Sequence, residues 1–114
     1  RVLPLYQYFA YRAARFWNDN DNCSLVVGAT VPEQLREVRS IVGDSVPILC
    51  PGIGKQGGDL AKSVNYGMNS KGSGLWINAS SSIIYAGNGP DFADRSRLAA
   101  EQLHGEIIQC LTPA

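Results

Sequence analysis

Apolar positions in this chain follow two spacings, one helical and one typical of short buried strands. Large apolar groups recur every three or four residues over 4–18, which predicts an amphipathic helix with Pro4 in its first turn. Its aromatic stripe is interpreted as core packing. The polar loop NDNDN follows, and the apolar run SLVVGA at 24–29 then indicates a buried strand.

A second helix is predicted to begin near Pro32 and to end at Gly43. Thr30 is expected to cap it, with Glu33 three residues later completing a capping box. Four residues at helical spacing form its apolar face: Leu35, Val38, Ile41 and Val42. A strand followed by such a helix is the repeating unit of α/β folds.

The stretch VPILCPGIGKQGGD at 46–59 combines a strand, a glycine-rich turn and a helix start. Ile48 and Leu49 predict a strand covered on both faces. Closely spaced glycines allow several backbone N–H groups to point at one place. Asp59 is expected to begin a helix that runs to about residue 69. A strand, a glycine-rich turn and a helix N-terminus together predict an anion-binding site. The alternative interpretation is a tight strand–helix connection that binds no ligand.

The remaining pattern continues the alternation of strands and helices. GLWIN at 74–78 predicts a third strand, 79–86 predicts a short helical turn or an irregular loop, and 91–111 predicts a long final helix. Strands that alternate with helices imply a parallel sheet and an α/β fold. Three strands cannot close a barrel of eight, so the pattern fits either part of a barrel or a small open sheet.

The amino-acid composition argues against several classes of protein. Ten basic and ten acidic residues balance among 114, which argues against a nucleic-acid or membrane-surface protein. No apolar run is long enough for a membrane span, and no signal-peptide pattern is present. Three cysteines without CxxC spacing indicate buried, reduced thiols of a cytosolic protein. A metal site is not expected, because His104 is the only histidine. The start at Arg1 suggests a piece of a larger protein.

Three motifs carry a family resemblance. VVGAT at 26–30, PGIGKQGGD at 51–59 and INASSSIIYA at 77–86 resemble the longer-chain branch of the orotidine 5′-monophosphate decarboxylases. The usual wording of that branch is VVGAT, PGIGAQGGD and INxSRxIxYA. The motifs fall in the family's order and spacing. The sequence departs from the pattern at Lys55, where a small residue is usual, and at Ser81, where arginine is usual.

The resemblance implies a fold and an activity. Residues 1–114 are expected to be the C-terminal part of a single TIM (β/α)8 barrel domain, with strands 6–8 and their helices and no second domain. The implied reaction of pyrimidine synthesis converts orotidine 5′-monophosphate to uridine 5′-monophosphate and carbon dioxide without cofactor or metal. The implied setting is a cytoplasmic homodimer that includes the rest of the barrel, in many relatives fused to orotate phosphoribosyltransferase.

The same resemblance assigns substrate-binding residues. Pro51 matches a position lining the pyrimidine pocket, and Gln56 matches a glutamine that bridges phosphate and pyrimidine. Ser80 and Ser81 match positions whose backbone N–H groups hold the phosphate. Lys55 is not assigned by the resemblance; because it lies one residue before Gln56 in the facing loop, it is expected to compensate partly for the arginine that Ser81 replaces, and the alternative is that it points into solvent.

Other polar residues are interpreted structurally. Asp59 is taken as a helix-start residue, Ser82 as part of a turn, and His104 as a surface or structural histidine. The family's catalytic lysine–aspartate array, DxKxxD, does not occur in this sequence. No catalytic residue is therefore predicted in the chain, and the isolated chain is expected to be inactive.

Two further hypotheses stay open. The chain is alternatively a non-catalytic module that binds nucleotide phosphate, or a degenerate structural homologue, which serine in place of arginine at position 81 favours. A DxKxxD motif in the same protein, upstream of this stretch, would favour the enzyme.

Overall fold

The computed structural model of the chain describes residues 2–54 and 59–111. Its three strands form one parallel sheet in the order β1–β2–β3. The strands are β1 (Leu25–Val26), β2 (Ile48–Cys50) and β3 (Leu75–Ile77). The helices are α1 (Leu5–Arg12), α2 (Pro32–Val42), α3 (Leu60–Gly67), α4 (Ser81–Ile84) and α5 (Phe92–Leu111). The predicted alternation of helices and strands is confirmed, and 79–86 contains the short helix α4.

The core lies between one face of the sheet and the helices. Ile48 and Cys50 point to this side and are fully buried, whereas Leu49 between them points to the other side. The buried apolar residues of the core are Ala10, Ala29, Leu35, Val38, Val42, Val46, Ile48 and Cys50. Helix α2 supplies three of them at helical spacing, as its sequence pattern predicts.

The opposite face of the sheet is apolar and open to solvent. Val26, Leu49 and Trp76 pair across the three strands and form one row, here called the inner-face row. Their exposures are 69%, 39% and 68%. The prediction that the central strand is covered on both faces is therefore wrong for this chain, because its helices pack on one side of the sheet.

The helix ends follow the predicted signals with one exception. Asp59 caps α3 by accepting a hydrogen bond from the backbone N–H of Lys62 at 2.9 Å, and Gly43 ends α2 with φ at 74°. The predicted capping box at Thr30 is wrong. Val31 occupies the N-cap position and makes no side-chain capping hydrogen bond, because the helix begins one residue later, at Pro32.

The N-terminal aromatic stripe is only partly packed. Helix α1 continues as a π-helical turn, Ala13–Trp17, where the Arg12 guanidinium lies 4.5 Å from the Phe16 ring centre. About half of the surface of Phe9, Phe16 and Trp17 remains exposed. The prediction that this stripe packs in the core is thus wrong for most of its rings, because the core covers chiefly the side that carries Ala10.

The thiols are unpaired, and one of them is buried. Cys23, Cys50 and Cys110 are all free, but only Cys50 is buried while the other two are half-buried, which corrects the prediction of three buried thiols. Burial raises the pKa of the Cys50 thiol. Within residues 2–54 and 59–111, no helix combines the length and apolarity needed to cross a membrane.

A buried arginine joins the amino-terminal side of the sheet to the helices. Arg39 of α2 is 8% exposed and donates hydrogen bonds to the carbonyl oxygens of Gly67 (2.7 Å), Val46 (2.7 Å), Gly74 (2.8 Å) and Gly43 (2.9 Å). Val46 precedes β2 and Gly74 precedes β3. Desolvation lowers the pKa of Arg39. This guanidinium therefore fixes where two strands begin, at the end of the sheet away from the glycine-rich loop.

Candidate functional site

A cavity of about 440 Å³ opens at the carboxyl ends of β2 and β3. The carboxyl end of a parallel sheet is where α/β proteins bind their ligands, because the loops after neighbouring strands converge there. Among the described residues, eight line the cavity: Pro51, Gly52 and Ile53 after β2, and Asn78, Ala79, Ser80, Ser81 and Ser82 after β3. The cavity is thus built from two of the three sequence motifs.

Backbone hydrogen bonds hold the loops of all three strands together beneath this cavity. The N–H of Ala29, in the loop after β1, donates to the carbonyl oxygen of Pro51 at 2.9 Å. The N–H of Asn78 donates to the carbonyl oxygen of Cys50 at 3.1 Å. Ala29 and Cys50 are fully buried. The rim of the cavity therefore rests on buried, hydrogen-bonded backbone at the end of the sheet.

The turn after β2 requires glycine at two positions. Gly52 and Gly54 have φ angles of 95° and 81°, a region that side chains with a Cβ rarely adopt. At Gly54 a Cβ would meet no atom of the described residues within 4 Å. The requirement at that position is therefore one of backbone conformation and not of space.

The loop after β3 enters α4 directly. Ser80 accepts hydrogen bonds at its carbonyl oxygen from the N–H groups of Ile83 (3.1 Å) and Ile84 (2.9 Å). The first N–H groups of a helix have no partner inside it, and at this end they belong to the serine-rich wall of the cavity. The Ser96 hydroxyl of α5 donates to the carbonyl oxygen of Ile83 at 2.7 Å, so the long last helix fixes α4 in place.

The described wall of the cavity carries no formal charge, because its residue types are proline, glycine, isoleucine, asparagine, alanine and serine. Its polar groups are backbone amides, three hydroxyls and the Asn78 side-chain amide, which lies 3.5 Å from the Ser80 hydroxyl. Such groups can orient a polar ligand and donate to an anion. In the described ranges no cluster of three or more histidine, cysteine or acidic side chains could hold a metal ion.

Three of the five predicted site residues meet in this cavity: Pro51, Ser80 and Ser81. The other two, Lys55 and Gln56, lie outside the described residues. Ser82 was predicted to belong only to a turn, yet it also lines the wall.

Asn78 was not singled out by the sequence. Its place at the end of a strand inside a family motif was the signal available. His104 is exposed on α5, as predicted.

Sequence comparisons find relatives that share one name. The chain is 48% identical over 105 residues to orotidine 5′-phosphate decarboxylase of Cellvibrio japonicus, covering 92% of this chain and 38% of that protein. It is 47% identical over 106 residues to the protein of the same name from Ralstonia nicotianae, covering 93% and 39% respectively. The chain thus spans under two-fifths of the relatives' length and matches their C-terminal part. No family model matches it.

Solved structures agree with the sequence relatives. The chain superposes with a TM-score of 0.80 and 38% identity on Leishmania donovani OMP decarboxylase, covering 96% of this chain and 40% of that one. Leishmania donovani UMP synthase gives a TM-score of 0.80 and 40% identity, with 23% of its chain covered. These neighbours are TIM barrels. The predicted fold class is therefore confirmed: the three parallel strands and flanking helices are part of a TIM barrel.

Proposed function

We propose that this chain, which belongs to the orotidine 5′-phosphate decarboxylase family, supplies the phosphate-binding part of a decarboxylase active site. The reaction converts orotidine 5′-monophosphate to uridine 5′-monophosphate and carbon dioxide, a step of pyrimidine synthesis. In this proposal residues 1–114 are the last three strand–helix units of one barrel domain. They hold the nucleotide while the remaining units carry out the chemistry.

The observation that carries the proposal is the position of the cavity. Pro51, Ser80 and Ser81 come from two motifs separated along the chain and line one space at the carboxyl ends of β2 and β3. Loops after the last two strands are the usual phosphate site of TIM barrels. The backbone N–H groups of Ser80 and Ser81 are proposed to bind phosphate oxygens, and Pro51 to contact the pyrimidine.

Two residues of the proposal lie outside the described part of the chain. Gln56 is assigned a bridging role between phosphate and pyrimidine, because its amide can donate to one and accept from the other. Lys55 is assigned a supporting charge near the phosphate. The assignment of Gln56 rests on the family motif that PGIGKQGGD resembles. The assignment of Lys55, which stands where the family usually has a small residue, rests on its place one residue before Gln56 and on the lack of formal charge in the described wall.

The chain is proposed to bind substrate without performing decarboxylation alone. Decarboxylation needs charged groups beside the departing carboxylate and a donor that protonates the developing carbanion. The lysine–aspartate array DxKxxD that supplies them in the family does not occur among these 114 residues. We therefore expect the purified chain to leave orotidine 5′-monophosphate unchanged.

The proposal includes the setting of the complete enzyme. A homodimer in the cytoplasm is inferred from the family resemblance and from three free cysteines. Fusion to orotate phosphoribosyltransferase belongs to the proposal as one arrangement, suggested by a UMP synthase among the structural neighbours.

A chimera tests the function directly. The part of the Cellvibrio japonicus relative matched by this chain, 38% of its length, is replaced with residues 1–114, and the purified chimera is assayed by the ultraviolet absorbance of orotidine 5′-monophosphate. We expect turnover by the chimera and none by the 114-residue chain, with both proteins purified from a host strain that lacks its own decarboxylase.

The controls separate binding from chemistry. A Ser80→Pro chimera removes one proposed phosphate-binding N–H and is expected to raise KM, with circular dichroism verifying that it folds. A folded chimera that binds uridine 5′-monophosphate but has no turnover would favour the binding-module hypothesis. A folded chimera without nucleotide binding would contradict the proposed function.

A further inference from the structure

We propose that Asn88 is a self-modification site, where the chain converts its own asparagine to aspartate and isoaspartate with water as the only co-reactant. The site is the segment GNGP at 87–90, in the connection between α4 and α5. Three observations carry the inference: the residue that follows Asn88, the exposure of the segment, and the hydrogen bonds around it. The proposal concerns the covalent chemistry of the chain and does not rest on the proposed decarboxylase function.

The reaction at Asn88 begins with the backbone nitrogen of the next residue. The nitrogen of Gly89 forms a bond to the side-chain carbonyl carbon of Asn88, and the side-chain nitrogen leaves as ammonia with the Gly89 amide proton. Water then opens the resulting succinimide ring at either of its carbonyl carbons. Opening at the side-chain carbon gives aspartate, and opening at the main-chain carbon gives isoaspartate, whose backbone runs through the side chain. The sum is one water consumed and one ammonia released, without oxidant or reductant.

Glycine after asparagine gives the attacking nitrogen the least hindered approach. Because Gly89 has no Cβ, its backbone reaches conformations that other residues avoid. A Cβ on the attacking residue would crowd the carbon at which the ring closes. The sequence has seven asparagines, and Asn88 alone precedes glycine, whereas the others precede aspartate, cysteine, tyrosine, serine or alanine. The reaction is therefore expected at this asparagine before any other.

The segment around Asn88 is open to water, which the second step consumes. Asn88, Gly89 and Pro90 are exposed, and none of them belongs to a helix or a strand. Backbone in such a connection is not part of a regular ladder of hydrogen bonds. The ring can therefore close and open here without breaking a helix or a strand.

Contacts hold the backbone on both sides of Asn88 but do not engage the two reacting groups. The carbonyl oxygen of Gly89 accepts a hydrogen bond from the N–H of Phe92 at 3.1 Å. Gly87 packs so closely on α5 that a Cβ there would lie 2.7 Å from Arg95 Cγ. Within the described residues, neither the Gly89 N–H nor the Asn88 side-chain amide has a hydrogen-bond partner. The nitrogen and the carbonyl group that must meet are thus not held by competing bonds.

Isoaspartate at position 88 would disturb the way α4 and α5 are held together. It lengthens the backbone by one carbon atom between two held points, the contact of Gly87 with Arg95 and the Gly89 carbonyl oxygen. It also adds a negative charge next to Gly89, whose Cβ position is 3.4 Å from Asp91 Oδ1, and like charges repel. We therefore expect the isoaspartate form, separated by ion exchange, to unfold at a lower urea concentration than the unmodified chain. Equal midpoints would overturn this consequence.

Mass spectrometry of the aged chain tests the reaction itself. The full 114-residue chain is incubated in mildly alkaline buffer, and samples taken over time are digested with trypsin at mildly acidic pH. Cleavage after Lys71 and Arg95 releases residues 72–95, one peptide that contains both Asn88 and Asn78. We expect replacement of NH2 by OH at least about tenfold faster at Asn88 than at Asn78, a difference of about 1.4 kcal/mol in activation free energy. Methylation by an isoaspartyl carboxyl methyltransferase identifies the isoaspartate fraction.

Matched variants separate the effect of the neighbour from the effect of the loop. Gly89→Ala adds a Cβ to the attacking residue and is expected to slow conversion of Asn88 to the rate of Asn78. Gly105→Ala makes the same change within α5 and should leave the rate at Asn88 unchanged. Circular dichroism verifies that each variant retains its helices.

Ala79→Gly provides the converse test, because it places glycine after Asn78. The N–H of Asn78 donates to the Cys50 carbonyl oxygen at 3.1 Å, and its side-chain amide lies 3.5 Å from the Ser80 hydroxyl. We therefore expect Asn78 in this variant to react more slowly than Asn88 does. Equal rates at the two asparagines would overturn the role given to the open loop.

Two further outcomes would overturn the inference. One is an Asn88 that keeps its mass in the folded chain while a synthetic peptide of residues 85–92 reacts, which would show that the fold protects it. The other is equal conversion of Asn88 in the parent and in Gly89→Ala. Neither readout depends on decarboxylase activity, so failure here leaves the proposed function standing.

Discussion

The guanidinium of Arg39 donates from Nε to the carbonyl oxygen of Gly67 at 2.7 Å, across 28 residues of sequence. Gly67 is the last residue of α3, where helix carbonyls have no partner within the helix. The arginine thus caps α3 from the neighbouring helix α2. Its Nη1 also donates to the Val46 carbonyl oxygen at 2.7 Å, so one side chain joins two helices and the segment that leads into β2.

Replacing Arg39 by methionine is expected to lower the free energy of unfolding by about 3 kcal/mol, because buried carbonyls then lose charge-assisted hydrogen bonds. Arg39→Lys should retain only part of the stability that Arg39→Met loses, since lysine lacks the planar fork of donors. Arg36→Met on the same helix is the control. The Arg36 guanidinium lies over the Tyr66 ring, 4.8 Å from its centre. Its removal should lower the free energy of unfolding by about 1 kcal/mol or less. Urea denaturation followed by circular dichroism distinguishes these outcomes, and equal effects would contradict the role given to Arg39.

Two glycines in helices should respond oppositely to alanine. At Gly67 a Cβ would lie 2.8 Å from Leu75 Cδ1 and 2.9 Å from Leu35 Cδ2, and Leu35 is fully buried. Gly105 in α5 has no atom within 4 Å of that position. We expect Gly105→Ala to stabilise by about 0.5–1 kcal/mol and Gly67→Ala to destabilise by about 1 kcal/mol. Thermal denaturation of the two variants checks the difference in sign, and stabilisation by both would show that the α2–α3 contact is loosely packed.

The carboxylate of Asp44 should make the free energy of unfolding depend on pH in the acid range. The Ser70 hydroxyl and backbone N–H both donate to it, and these bonds hold its pKa below the ordinary 3.8. A lowered folded-state pKa contributes stability that is complete above the unfolded value and is lost as the pH falls through the folded value. The stability difference between the parent and Asp44→Asn should therefore be present at neutral pH and disappear in strong acid.

A double-mutant cycle with Ser70→Ala provides the check on Asp44. The coupling between the two substitutions should vanish over the same acid range, because the protonated carboxyl no longer accepts both hydrogen bonds as an anion. Coupling that persists unchanged in strong acid would rule out the ionised carboxylate as its source.

The sequence predicted the parts of the site that depend on local rules. The end of β2, the positive-φ glycines after it and the helix start at Asp59 follow from glycine spacing and capping chemistry. Pro51 and Ser81 meet because parallel strands place their carboxyl ends on one side of the sheet. The motif spacing carried enough information to place both loops at one cavity.

The sequence pattern could not reveal contacts between residues that are far apart in the chain. In the sequence, Arg39 is simply one polar residue of an amphipathic helix. Its hydrogen-bond partners Gly67 and Gly74 lie 28 and 35 residues away. No local rule identifies them. Periodicity likewise shows that a surface is apolar but not what covers it. The exposed Trp76 and the half-exposed rings of α1 therefore appeared only in the structure.

Serine at position 81 should limit the affinity for phosphate. Ser81 begins α4 and lines the cavity after β3, where an arginine would add a planar, charged pair of donors to the backbone N–H groups. In the chimera with the Cellvibrio japonicus relative, Ser81→Arg is expected to tighten uridine 5′-monophosphate binding about tenfold, the effect of one added hydrogen bond between charged groups. Affinity for uridine, which lacks the phosphate, should stay the same.

Lys55 provides the second arm of this test. If its charge partly replaces the missing arginine, Lys55→Ala should weaken nucleotide binding in the parent chimera and have little effect once Ser81→Arg is present. Titration calorimetry of the four proteins in this cycle, each against the nucleotide and the nucleoside, measures both expectations. Unchanged nucleotide affinity in a folded Ser81→Arg chimera would show that position 81 does not face the phosphate. The loop after β3 would then have to be removed from the proposed site.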